Sequence, residues 1–262
     1  MNPIQTTEGF RNLLFNLYAD PELFVRELAQ NAHDSIIIRQ AKEKNFQGKI
    51  CVFYDTEKQS ISFADNGEGM SREALENISS TVGPGRFRNL SGNLADAVSE
   101  DLIGQFGVGL FSAFAAGNRV VIETRKTDSS EGFYWEGDGL TKGTLHPIRR
   151  AQPGSTVTVF LKPSFASLLD TVKLKTLLVR YCDYIGVPIY LQRHGETNGK
   201  LINSVHAPWD MRFSGEDQAT QEKRAYLDFV SLRFGDHPIA VYPLKIDAQE
   251  NGFHCRAKGV LY

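Results

Sequence analysis

The sequence predicts an α+β protein: a two-layer α/β sandwich in which a mixed, mostly antiparallel sheet carries helices on one face, followed by a short segment of a second α/β domain. Three observations predict it. Helices and one hairpin come first, a long Gly-, Ser- and Asn-containing stretch follows, and most of the strands come after it. With 262 residues, 41% of them hydrophobic, the chain can bury at least one large core. A turn-rich HGETNGK break and then Pro208-Trp209 precede a new pattern. They divide the chain into a domain over 1–195, a linker over 196–210 and the beginning of another domain over 211–262.

Each element has a local reason. Phe10, Leu13, Leu14 and Leu17 recur at helical spacing over 7–18, and Asp20-Pro21-Glu22 then offers a cap, a proline at the first helical position and an acid in the first turn. A second helix is expected from near Pro21 to about Lys44. KICVFYD and SISFAD, rich in β-formers and separated by TEKQ, read as a hairpin over 49–55 and 60–65. Ser71 caps a helix over 71–80. The stretch 83–104 is long for a structureless connection and reads as a lid. A helix through Phe111, Phe114 and Ala116 follows, then strands near 119–125, 132–136, 142–147 and 155–162. Thr171 to Ile185 is helical, with Leu174, Leu177, Leu178 and Tyr181 on one face, and VPIYLQR is a strand. Beyond the break come a helix over 217–231 and strands in HPIAVYPLKI and FHCRAKGVLY. The apolar GVLY at the end reads as the edge of a fragment of a longer protein.

Composition narrows the function. A net charge of −2, with no basic cluster longer than a pair such as Arg149 and Arg150, argues against a broad nucleic-acid footprint. Cys51, Cys182 and Cys255 are far apart and show no CxxC spacing, so neither a zinc site nor a disulfide framework is indicated. The N-terminus has no signal pattern, and no apolar run approaches the about 18 residues that cross a bilayer. The expectation is a cytoplasmic protein that binds neither membrane nor nucleic acid.

Four stretches carry chemistry. In RELAQNAHDS, Glu27, Asn31 and Asp34 fall within roughly 60° of one another on a helical wheel, opposite Val25, Ala29, Ala32 and Ile36. The stripe is either a wet helix face or a row of groups aimed into a pocket. DNGEGM puts Asp65 at a strand end, where its carboxylate can accept from an exocyclic amine, while Gly67 and Gly69 let the backbone approach a flat ring; it is also a common turn signal. Gly104, Gln105, Phe106, Gly107, Val108 and Gly109, before Leu110, place three glycines at the opening of a helix, where freed N–H groups suit phosphates. Gly154-Ser155-Thr156-Val157 opens an alternating strand. His33 lies about 120° from Glu27 on the wheel and reads as a surface residue.

In this order, these features resemble the ATP-binding (Bergerat) fold shared by gyrase, heat-shock protein 90, histidine kinases and the MutL proteins. LYADPELFVRELAQNAHDS and IGQFGVGLFS are most similar to the heat-shock protein 90 chaperones of the bacterial high-temperature protein G type, over residues 8–192, with a weaker likeness to that family's middle domain beyond Pro208-Trp209. The resemblance implies an ATP-dependent chaperone, binding ATP and ADP with Mg²⁺, acting on client proteins and dimeric in full length, with the fragment itself a candidate monomer. It implies Glu27 as general base, Asn31 as the Mg²⁺ ligand, and Asp65 as acceptor for the adenine amine. Gly69 and Met70 would lie beside the ring, Asp34 in the adenine-side network, Ser155 near Asp65 in place of the family's threonine, and Gly104 to Leu110 around the phosphates. A middle-domain arginine completes the family's site, so the fragment is expected to hydrolyse ATP weakly.

Pro84 stands where the family has a lid lysine, Ile38 at another lysine, Leu110 at a phenylalanine and Ile78 at an asparagine. Competing readings are a DNA-directed ATPase of the gyrase or mismatch-repair kind, a histidine-kinase-like module, and a nucleotide-gated binding module without hydrolysis. The gyrase and mismatch-repair loop strings GGLHGVG and FRGEAL do not occur.

Overall fold

A computed structural model describes residues 22–82, 109–139, 141, 143–215, 217–250 and 253–262. The expected helix over 7–18, the Asp20-Pro21 cap, the lid over 83–104 and the glycine-rich turn through Val108 lie outside the described residues. The chain forms two compact units, Met1–Asn203 and Ser204–Tyr262.

In the first unit, α1 (Leu23–Lys42) precedes the hairpin β1 (Ile50–Asp55) and β2 (Ser60–Asp65), then α2 (Arg72–Val82) and α3 (Gly109–Ala116). Strands β3 (Gly117–Arg125), β4 (Gly132–Gly137), β5 (Thr144–Ile148) and β6 (Gly154–Leu161) follow, then α4 (Thr171–Cys182), β7 (Ile189–Arg193) and the short β8 (Lys200–Leu201). The strands form one sheet in the order β5-β4-β3-β6-β2-β1-β7-β8, in which β1 and β7 run parallel and every other pair is antiparallel.

Strand alternation explains why helices cover one face. Ile61 and Phe63 on β2, Val157, Val159 and Leu161 on β6, and Val120 and Ile122 on β3 are buried. Their neighbours one residue along turn to the other face, where Ser62 and Thr158 share a 2.8 Å hydrogen bond and Arg119 lies 3.6 Å from the Phe160 ring. That face is polar and half-buried, as one-sided antiparallel sheets are. The α1 residues Val25, Leu28, Ala29, Ala32 and Ile36 join Leu174, Leu177 and Leu178 of α4 and Ala113 and Phe114 of α3 in the same core. Each buried Leu, Ile or Val contributes about 1.5–3 kcal/mol. Trp135, fully buried beside Phe114, is a core residue.

Helix ends differ from expectation for local reasons. α1 begins at Leu23, and Glu22 makes no side-chain cap bond; its carboxylate instead accepts from Arg180 (3.1 Å) and Tyr181 (3.4 Å) of α4. α4 ends at Cys182, short of Ile185, because Asp183 is extended and Tyr184 takes a φ of 63°. Ser71 does cap α2, accepting the Ala74 N–H at 3.2 Å. The segment expected as linker from 196 contributes β8, and Asn203 is buried, accepting from the Ile189 N–H and donating to the Cys182 and Val187 carbonyls.

The second unit contains α5 (Gln218–Phe234) and the antiparallel pair β9 (Tyr242–Glu250) and β10 (Phe253–Leu261). Gly235, with a φ of 74°, ends α5 in a left-handed cap, three residues past the expected stop. The β9 strand opens at Tyr242, so 237–241 is not the strand HPIAV suggests.

Candidate functional site

Three neighbouring strands change from apolar to polar at the same end of the sheet. On β2 the inward row Ile61, Phe63 ends in Asp65; on β6 the row Leu161, Val159, Val157 ends in Ser155; on β3 the row Val120, Ile122 ends in Thr124. A two-residue period puts each polar group on the helix-covered side. Thr124 and Ser155 are register partners, so the three converge under α1. All are buried: Asp65 is 8% exposed, Ser155 2% and Thr124 0%.

Asp65 Oδ1 accepts from the Gly67 N–H at 2.8 Å and the Ser35 hydroxyl at 3.1 Å. Burial pushes its carboxyl up to about 6, against the opposing pull of the Gly67 N–H, the Ser35 hydroxyl, the Ser155 N–H and the Arg150 charge. Thr124 Oγ1 lies 2.8 Å from Ser155 Oγ, donates to the Gly154 carbonyl at 3.2 Å, and accepts the Met70 N–H at 2.8 Å. The loop from Asn66 to Met70 therefore hangs between α1 and the end of β3.

Close packing dictates its glycines. A Cβ on Gly67 would lie 2.4 Å from Ser35 Oγ, and one on Gly69, whose φ is 74°, would lie 2.0 Å from the Arg125 carbonyl oxygen. Met70 packs on the edge of the core. The loop thus presents backbone at Gly69, a thioether at Met70 and a buried carboxylate at Asp65.

The expected α1 stripe separates. Glu27 is half-buried, with Arg26 Nη2 at 2.7 Å. Asn31 is exposed, and its side chain makes no hydrogen bond among the described residues. Asp34 is exposed and accepts from Gln30 at 2.8 Å on its own helix; His33 Nδ1 lies 3.1 Å away. The helix residue that meets Asp65 is Ser35, whose Oγ also accepts the Gly69 N–H at 3.4 Å. Gly104, Gln105, Phe106, Gly107 and Val108 lie outside the described residues. Gly109 begins α3, and Leu110 buries its side chain in the core, leaving only its backbone for any ligand.

Sequence reasoning missed Ser35 and Thr124, and the signal for each was present. Positions 27, 31 and 35 form an unbroken i, i+4 series, and Thr124 continues the alternation of Val120 and Ile122.

A model for the histidine kinase-, DNA gyrase B- and HSP90-like ATPases matches residues 21–149. The chaperone protein HtpG of Methylobacterium sp. (strain 4-46) is 36% identical over 190 residues, covering 69% of this chain and 31% of that protein. The HtpG of Chromobacterium violaceum is 33% identical over 218 residues, 75% of this chain and 34% of its own. That of Desulfotalea psychrophila is 28% identical over 266 residues, 94% of this chain and 42% of its own. The chain belongs to the heat-shock protein 90 family. It spans well under half the length of these relatives. The stretch matched by the ATPase model covers α1, the β1–β2 hairpin, the Asp65–Met70 loop and β3, all but one of the elements that converge on Asp65; Ser155 on β6 lies just beyond it.

No helix among the described residues is long and apolar enough to cross a membrane. Nor do those residues gather three or more His, Cys, Asp or Glu side chains fit to hold a metal by themselves.

Proposed function

We propose that this chain is the ATP-binding and ATP-hydrolysing part of a chaperone, with residues 1–195 as the nucleotide domain and 211–262 as the opening of a middle domain. One observation carries the reading: a carboxylate buried at a strand end, held by Ser35 and the Gly67 N–H, beside a glycine-containing loop that close packing fixes between α1 and the end of β3. Asp65 accepts the exocyclic amine of adenine. Gly69 and Met70 line the ring, Ser155 completes the polar wall, and Asp34 contributes to the adenine-side network from α1. The backbone of Gly104 to Leu110 cradles the phosphates at the start of α3.

Glu27 is the general base for the water that attacks the γ-phosphate. Its contact with Arg26 joins two partly exposed groups and is worth little, so water can displace it. Asn31 suits a magnesium site because its side-chain amide is exposed and uncommitted among the described residues, one turn from Glu27, and Mg²⁺ takes few protein oxygens beside phosphates and water. Bound there, the ion would neutralise phosphate charge. In the full-length protein, nucleotide turnover drives a cycle on client proteins in a cytoplasmic homodimer.

ADP production by the chain and by Glu27→Ala tests the catalytic half of this reading. The expected result is slow turnover in the first and about a hundredfold less in the second, with ADP affinity unchanged. Equal rates would refute Glu27 as the general base.

A further inference from the structure

Glu68 is the residue of the Asp65–Met70 loop that the functional reading leaves without a task. It is also out of place by ordinary rules: a glutamate between two glycines in a surface connection, yet only 6% exposed. Both carboxylate oxygens are occupied. Oε1 accepts from Lys42 Nζ at 2.6 Å, on the last turn of α1, and Oε2 accepts from the Thr127 hydroxyl at 2.9 Å, just past the end of β3. Its backbone repeats the pattern, donating to the Ser35 carbonyl at 3.0 Å and accepting the Thr127 N–H at 2.9 Å. One residue thereby ties the loop to the helix on one side and to the β3–β4 connection on the other.

We propose that Glu68 is a positioning residue for base recognition: its carboxylate braces the glycine-containing loop between Lys42 and Thr127 and so holds Asp65 and Gly69 in place before a ligand arrives. The inference rests on the reading of Asp65 as the adenine acceptor. Two glycines give the loop more freedom to lose on ordering than other residues would. A brace already formed removes that loss from the binding step. The pair is asymmetric, since the Lys42 side chain is 55% exposed and that of Glu68 8%. Deleting the lysine strands a buried charge, whereas deleting the glutamate releases the lysine to water. Glu68 variants are therefore the ones that keep the fold.

The test measures adenosine affinity by calorimetry and amide hydrogen exchange in the 262-residue chain, Glu68→Ala, Glu68→Gln and Asp65→Asn. Glu68→Ala is expected to bind adenosine about tenfold more weakly, the equivalent of one charge-assisted hydrogen bond. Its amides at Glu68, Gly69 and Thr127 should exchange faster while those of β2 and β6 keep their protection. Glu68→Gln can bond both partners through its oxygen and its amide, so it should recover most of the affinity. Unchanged affinity in Glu68→Ala, with Asp65→Asn still losing it, would overturn the brace and leave the base site standing. Protection lost evenly across the sheet would overturn it too, by reducing Glu68 to general stability. If the unaltered chain binds no adenosine, the base site itself is wrong and the brace falls with it.

Discussion

The Ser35 hydroxyl donates to Asp65 across 3.1 Å, joining the middle of α1 to the end of β2 between residues thirty apart in sequence. The bond does two things at once. It fixes the helix over the strand end, and it favours the charged form of a carboxyl that burial drives the other way.

Ser35→Ala removes that donor, so the Asp65 carboxyl should titrate still higher than about 6. Adenosine affinity at pH 7 should fall roughly three- to tenfold, the range of one hydrogen bond to a charged group held at partial occupancy. A pH series in the variant should show its midpoint displaced upward from that of the unaltered chain.

Asp65→Asn should separate stability from binding. The folded carboxyl is raised from 3.8 to about 6. Below pH 4 both folded and unfolded chains carry the proton, and nothing is lost. As pH rises toward 6 the unfolded chain ionises first, so stability falls, and above 6 the full penalty of roughly 3 kcal/mol remains. A neutral asparagine avoids that penalty. Urea unfolding at pH 7 should find the variant about 1–3 kcal/mol more stable, with the advantage gone near pH 4.

Binding has the opposite pH sense. The adenine amine needs an acceptor, and protonation of Asp65 competes with it. Adenosine affinity should be level above pH 7 and drop about tenfold per pH unit below the midpoint. Calorimetry from pH 5 to 8 checks this with a ligand that carries no phosphate to titrate.

Much of this architecture was legible because it rests on short-range rules. The hairpin over β1 and β2 follows from two β-rich runs and a polar turn, and the buried side of α1 from the spacing of Val25, Ala29, Ala32 and Ile36. What escaped depends on partners far along the chain. The i, i+4 series through 27 and 31 places Ser35 on the polar face, but its partner Asp65 is set only once β2 lies beneath α1. The early stop of α4 depends on Tyr184 adopting a positive φ, which few non-glycine residues do. The placement of β8 inside an apparent linker depends on Asn203 bonding three backbone groups at once. The polar stripe was half readable: its spacing was clear, yet the residue that reaches the carboxylate is the next one along.

Gly69→Ala should damage the loop without touching Asp65. The new methyl group meets the Arg125 carbonyl oxygen at 2.0 Å, and the φ of 74° strains any side chain. Because the obstacle is backbone, the loop must move. Stability should fall by at least about 1–2 kcal/mol, and adenosine affinity by more than tenfold. A crystal structure of the variant should show Met70 N–H separated from Thr124.

The central claim is that Asp65 recognises the amine of adenine, and paired calorimetric titrations with adenosine and guanosine test it most directly. The account predicts adenosine binding, no detectable guanosine binding at the same concentrations, and a loss of about a hundredfold or more for adenosine in Asp65→Asn. Adenosine binding unchanged in Asp65→Asn, or equal binding of the two nucleosides, would contradict it.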